Sequence, residues 1–116
     1  MEKYKVTINE CEGSCNSDLF KEMLERGDIT ATRIKDAVGG IYEFTGYANC
    51  TVETKDKKFD VTYYATDDGF ISSGSKIFEE SVKAYLGKCK QLKVVSKSTG
   101  KGTTFKVTPI LNQEEA

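Results

Sequence analysis

The 116-residue sequence contains no histidine and no tryptophan, and its only arginines are Arg26 and Arg33. Without histidine the chain lacks the one side chain that ordinarily titrates near neutrality. The usual general base, the commonest metal ligand and most nucleophile–base arrangements go with it. No nucleophile–base pair stands out elsewhere, so no catalytic residues and no enzyme are expected. Two arginines leave little for bidentate reading of base edges, which argues against sequence-specific DNA recognition. No run of eighteen apolar residues occurs, so no spanning helix is expected. The opening MEKYKVTINE is charged and alternating, without the apolar stretch of a secretory leader, and points to the cytoplasm.

Hydrophobic residues make up 38% and charged residues 30%, with six tyrosines and six phenylalanines, a soluble globular composition. A chain this long buries roughly two thirds of its unfolded surface, enough for a core without disulfide staples. One domain over 1–111 is expected, carrying a helical insert at about 16–38 and a short tail at 112–116.

The net charge of −1 hides a split. Residues 1–80 hold 10 Lys/Arg against 16 Asp/Glu, whereas residues 81–116 hold seven lysines against two glutamates. From Ser81 to Gln113 there is no acid at all. Such a stretch suits a polyanion, because local potential steers association. It also suits a solvated edge on which lysines discourage strand-to-strand aggregation.

Hydrophobic period organises the rest. Lys3–Asn9 alternates as a half-buried strand. Asn16 or Ser17 can cap a helix with Leu19, Phe20, Met23 and Leu24 on its apolar stripe and Gly27 as its stop. A second helix is predicted from Thr30 as N-cap, with Ile29 and Ile34 as a hydrophobic staple, ending at Gly39-Gly40. Ile41–Thr54 reads as a long strand, with a bend or bulge at Gly46. Phe59–Ala65 is its hairpin partner, and Asp67-Asp68-Gly69 reads as a turn rather than a carboxylate pair. Ser72–Ser75 lead into a helix with Phe78, Val82, Tyr85 and Leu86 inward and Gly87 as its stop. Lys88–Ser98 and Thr103–Leu111 close the chain as a hairpin. Without the insert, this order is that of the oligonucleotide/oligosaccharide-binding (OB) fold. The expected fold is mainly β: an OB-fold-like five-stranded antiparallel barrel, with a helix between strands 3 and 4 and a short helical insert between strands 1 and 2. A split α+β sandwich would give a similar string.

Alternation carried along the second and third strands places Tyr47 and Tyr64 outward on neighbouring strands, where bases could stack on them, with Tyr63 as a further candidate. Packing against the inserted helices or a subunit partner is the other reading. Lys93, Lys97, Lys101 and Lys106 on the last hairpin, with Lys55, Lys57 and Lys58 at the tip of the preceding one, are the candidate phosphate contacts. Of the four cysteines, Cys11 and Cys15 form the only close pair, as C-x3-C, and Cys50 and Cys89 have no near neighbour. Free thiols are expected rather than zinc, and no metal or cofactor is assigned.

VTYYATDDGFISSGSKIFEESVKAYLG (61–87) and KQLKVVSKSTGKGTTFKVTPI (90–110), together with GGIYEFTGYA (39–48), resemble the single-stranded DNA-binding proteins of tailed bacteriophages. In that family an A-x-D-G turn precedes a serine-led helix and a lysine–glycine hairpin turn. Here Ala65–Gly69 carries one extra residue in the first turn, and Lys97–Gly102 supplies the second. The likeness spans about residues 39–111. It implies a non-enzymatic OB-fold protein, phage- or prophage-encoded, that coats single strands during DNA replication or recombination in the host cytoplasm. The implied partners are single-stranded DNA and replication or recombination proteins, with no membrane and with homodimerisation open. The insert at 16–38 has no counterpart, and the C-terminal NQEEA lacks the acidic, Phe-ending tail through which bacterial relatives recruit partners. A protein-binding module that inhibits a host factor, built on the same β-barrel scaffold, is the alternative.

Overall fold

The computed structural model describes residues 5–15, 18–26 and 29–110. The chain is mainly β and forms two open sheets rather than one closed barrel. Strand β1 (Lys5–Gly13) leads to helix α1 (Asp18–Arg26), then to the short β2 (Ala31–Arg33) and the single turn α2 (Ile34–Ala37). Strands β3 (Ile41–Tyr42), β4 (Phe44–Glu53), β5 (Lys58–Thr66) and β6 (Gly69–Ser73) precede helix α3 (Lys76–Tyr85). The hairpin of β7 (Leu92–Thr99) and β8 (Gly102–Pro109) follows. One sheet has the order β1-β4-β5-β6-β2 and the other the order β3-β7-β8.

The expected long second strand is thus split between sheets. Its first two residues pair with β7, through Ile41–Lys93 and Tyr42–Leu92, and the remainder pairs with β1 and β5. Glu43 marks the crossing. Its N–H donates to Asp67 Oδ1 at 3.0 Å, and its carbonyl accepts from the Asp67 N–H at 3.0 Å. The first aspartate of the Asp-Asp-Gly turn therefore anchors the junction, and Gly69 follows with φ of +99°.

The second predicted helix is mostly replaced. Residues 31–33 pair in parallel with β6 instead, leaving Thr30 without a helix to cap and α2 without a side-chain cap. The local staple loses because the outer edge of β6 offers Thr32 and its neighbours backbone hydrogen bonds that a lone helical turn cannot match. In α1, Phe20 and Leu24 are buried as expected, but Leu19 is 64% exposed. The expected cap and stop of α1 (Asn16 or Ser17, and Gly27) and the tail at 112–116 lie outside the described residues.

Helix α3 follows its sequence closely. The Phe78 N–H donates to Ser75 Oγ at 3.1 Å, Phe78 and Val82 are buried, and Gly87 turns the chain at φ +80°. The serine run thus serves as a helix cap. Ser81 Oγ accepts from the Val107 N–H at 2.9 Å and donates to the Val107 carbonyl at 3.2 Å, so α3 seals part of the open edge of β8.

Two cores result. The larger joins Phe44, Tyr47, Tyr64 and Ile71 of the five-stranded sheet to Phe78 and Val82 of α3 and to Leu92, Val94 and Val107 of the hairpin. On the other face of that sheet, α1 covers Ala48, Cys50 and Ala65. Phe78 is central: its ring meets Tyr64 edge-on at 5.0 Å and Phe44 at 6.3 Å. Among the described residues no helix is long and apolar enough to cross a membrane. Phe78→Ala should cost about 3–5 kcal/mol of unfolding free energy in a denaturant titration. A loss under about 1 kcal/mol would mean that Phe78 is not the centre of this core.

Candidate nucleic-acid interface

Alternation on β7 sends Leu92 and Val94 into the core, so Lys93, Val95 and Lys97 project from the opposite side. The register sets Val95 opposite Lys106, Lys97 opposite Thr104 and Lys93 opposite Thr108. Lys93, Lys97 and Lys106 therefore share one exposed face around Val95, and β3 adds the half-exposed Ile41 beside Lys93. A shallow depression of about 260 Å³ runs between Val95, Lys97, Thr104 and Lys106. Lys93 and Lys97 stand roughly 13 Å apart along the strand. No acid occurs between Ser81 and Ile110, so nothing in the hairpin neutralises the face.

The other predicted phosphate contacts divide. Lys101 sits in the β7–β8 turn, at the end of the same hairpin. Lys55, Lys57 and Lys58 are exposed at the β4–β5 tip, in the other sheet. That tip lies beyond the ten residues of β4, about 30 Å of strand from the crossing at Glu43. The last-hairpin lysines are brought together, and the preceding-hairpin lysines do not join them.

The tyrosine assignment is corrected. Tyr47 is 2% exposed and Tyr64 is fully buried, so neither is available to stack a base. The cause is a bulge. Phe44 pairs with Thr66 and Gly46 with Ala65, leaving Thr45 unmatched. The slip turns Tyr47 to the same side as Phe44, under α3, where it meets Tyr64 of the unbulged β5. Simple alternation, carried through that point, assigns Tyr47 to the wrong face; Tyr64 is buried because both faces of this sheet are covered. Tyr63 is half-buried on the α1 side and lines a groove of about 390 Å³ with Val6, Leu24, Ile29, Val52, Thr54 and Phe59.

Tyr47 instead belongs to a polar network between β1, β4, β5 and α3. Its hydroxyl donates to Glu10 Oε2 at 2.9 Å. Lys83 reaches Glu10 at 2.9 Å and Glu79 at 3.0 Å, and its ammonium stands 5.2 Å from the Tyr47 ring centre. Thr62 donates to Glu79 Oε1 at 3.0 Å, and Asn49 donates to Thr62 at 2.8 Å. The Lys83 bond, then that from Tyr47, holds the Glu10 carboxyl below its ordinary 4.5. Burial, then Glu10, pushes the Tyr47 phenol up to about 12. Lys83 is therefore spoken for, although it belongs to the acid-free stretch. The sequence signals for this network were the Glu79–Lys83 spacing of four and the polar Asn49 in mid-strand.

Tyr64 is different. Among the described residues its hydroxyl has no hydrogen-bond partner, and burial drives its ionisation far upward. Cys15 and Cys50 lie with Cys11 on the α1 face, whereas Cys89 packs against the larger core, so the four thiols do not converge. Burial raises Cys15 to about 11 and Cys50 to about 12, leaving both as poor thiolates.

Comparison of the chain with known protein families, with curated proteins and with solved structures finds no match. The functional reading therefore rests on geometry and charge.

Two stability outcomes follow from the buried groups. Tyr64→Phe removes an unsatisfied hydroxyl and should leave stability unchanged or raise it by up to about 1–3 kcal/mol. A clear loss in chemical denaturation would mean that the hydroxyl has a partner. Glu10 has its folded pKa below the unfolded one, so its contribution is complete above about 4.5 and fades as pH falls through the folded value. The stability gap between wild type and Glu10→Gln should accordingly narrow on acidification. A gap constant from pH 7 to pH 3 would show that the Lys83–Glu10 pair contributes nothing.

Proposed function

We propose that this protein binds single-stranded DNA without sequence preference and without catalysis, through the outer face of the β3-β7-β8 sheet. The observation that carries this reading is the convergence of Lys93, Lys97 and Lys106 on one exposed, acid-free face. Lysine ammonium groups neutralise phosphates as point charges and read no bases, which suits coating rather than site recognition. With Tyr47 and Tyr64 in the core, the face carries Val95 and Ile41 in place of aromatic platforms, and phosphate contacts supply most of the affinity. The reading agrees with the resemblance to phage single-stranded DNA-binding proteins, and with it a role in replication or recombination. The element order, a three-strand meander followed by a helix and a final hairpin, supports kinship with oligonucleotide-binding barrels, here opened into two sheets.

The test is anisotropy of a labelled oligo-dT over a salt series, with duplex DNA as competitor. Each engaged phosphate contributes roughly 0.7 to the log–log salt slope for a single strand. Changing Lys93, Lys97 and Lys106 together to Gln should flatten the slope by about two units, and changing Lys55, Lys57 and Lys58 should alter it little. Absence of binding at low salt would sink the reading. The groove beside α1 would then be the place to seek a protein partner.

A further inference from the structure

We infer that the protein carries a second site, for a phosphate ester bearing an aromatic base, a mononucleotide unit, where β2, α2, the end of β6 and β8 meet. A broad, open depression of about 380 Å³ lies there. Arg33, Lys35 and Ser72 line it together with the apolar Ile34, Val61 and Phe105. Arg33 stands directly opposite Ser72 in the parallel β2–β6 register, so both belong to the same face at this edge. Both cations are exposed, and among the described residues neither has an ion-pair or hydrogen-bond partner. No acid lines the depression.

This mixture selects the ligand. Two unpaired cations and a hydroxyl match a phosphate, for which the planar fork of arginine is well shaped. A bare inorganic anion would leave the apolar lining residues Ile34, Val61 and Phe105 without a partner. A base laid beside them would cover part of that surface, and base–aromatic contact tolerates any base. The parallel pairing that displaced the second predicted helix is what brings Arg33 to this place.

The depression lies apart from the lysine face. On β8, Phe105 is turned toward the core side with Val107, and Lys106 projects from the opposite side. Two sources share the required chemistry: a free mononucleotide, or one nucleotide of a strand that rounds the β8 edge from the lysine face. The site does not depend on the lysine face, so the two assignments can fail separately.

The experiment is an amide chemical-shift titration of the full chain with deoxythymidine monophosphate and, separately, with inorganic phosphate. Wild type, Arg33→Gln/Lys35→Gln and the triple Lys93/Lys97/Lys106→Gln variant are compared. Both pocket substitutions are on exposed side chains, and unchanged thermal unfolding verifies that the fold is kept. The nucleotide should shift the amides of Arg33, Lys35, Ser72 and Phe105 in wild type and in the triple-lysine variant. The pocket double variant should weaken it at least tenfold. If the double variant also weakens oligo-dT, the occupant is a nucleotide of the strand. If oligo-dT is unaffected, it is a free nucleotide. Three outcomes overturn the inference: no shift at these amides, equal affinity in the double variant, or inorganic phosphate bound as tightly as the nucleotide. Failure of oligo-dT to bind any variant would remove the lysine-face function and leave the nucleotide readout intact.

Discussion

Between Phe44 and Gly46 the pairing of β4 with β5 slips by one residue, and the larger core is organised around that slip. Residues three apart, Phe44 and Tyr47, emerge on the same side of the sheet, and Tyr64 comes up opposite Tyr47. Phe44, Tyr64 and Phe78 then meet edge to face, an arrangement aromatic quadrupoles favour. The slip needs glycine where the chains crowd. A Cβ on Gly46 would stand 2.6 Å from both the Glu12 carbonyl oxygen and the Ser14 nitrogen, closer than any backbone tolerates. Gly13, its partner across the ladder, sits at φ +67°, in the left-handed region.

A second irregularity, at Asn9 in β1, works with the first. By absorbing one residue there, the strand keeps Val6, Ile8 and Cys11 toward α1 while turning Glu10 toward α3. Glu10 can then meet Lys83 and Tyr47, tying the edge strand to the helix. Glu79, 8% exposed, would be a costly buried charge without Lys83, Thr62 and Asn49 around it. The network thus resolves a polar burden that the packing of α3 creates, and it draws Lys83 away from any ligand.

These constraints divide the labour between the sheets. The five-stranded sheet is covered on both faces, by α1 and by α3, and its aromatic residues go mainly to packing. The three-stranded sheet gives one face to the core, through Leu92, Val94 and Val107, and leaves the other bare. Its outward positions are lysine, threonine and valine, residues that tolerate solvent and strand geometry together. A basic surface forms on the sheet that has a face to spare, and the Arg33 depression forms at the rim where the two sheets approach.

Local chemistry made much of this legible in advance. Period-two alternation gave β1 as far as Asn9, β5 and the β7–β8 hairpin, while residues 10–13, which read as a loop, extend β1 along β4. Cap and stop residues gave α3, and an apolar stripe gave α1. The last hairpin was also legible as the carrier of Lys93, Lys97, Lys101 and Lys106; that Lys93 and Lys97 share one side of β7 follows from the unbulged pairing of β7 with β8. Pairing partners were not legible. The strand at 31–33, the strand after the Asp-Asp-Gly turn and the division of the second strand between two sheets all depend on which distant edge offers hydrogen bonds. The same holds for the face of Tyr47 and for the burial of Tyr64. Period two names two sides of a strand, but a one-residue slip exchanges them, and only the packed structure decides which side is buried.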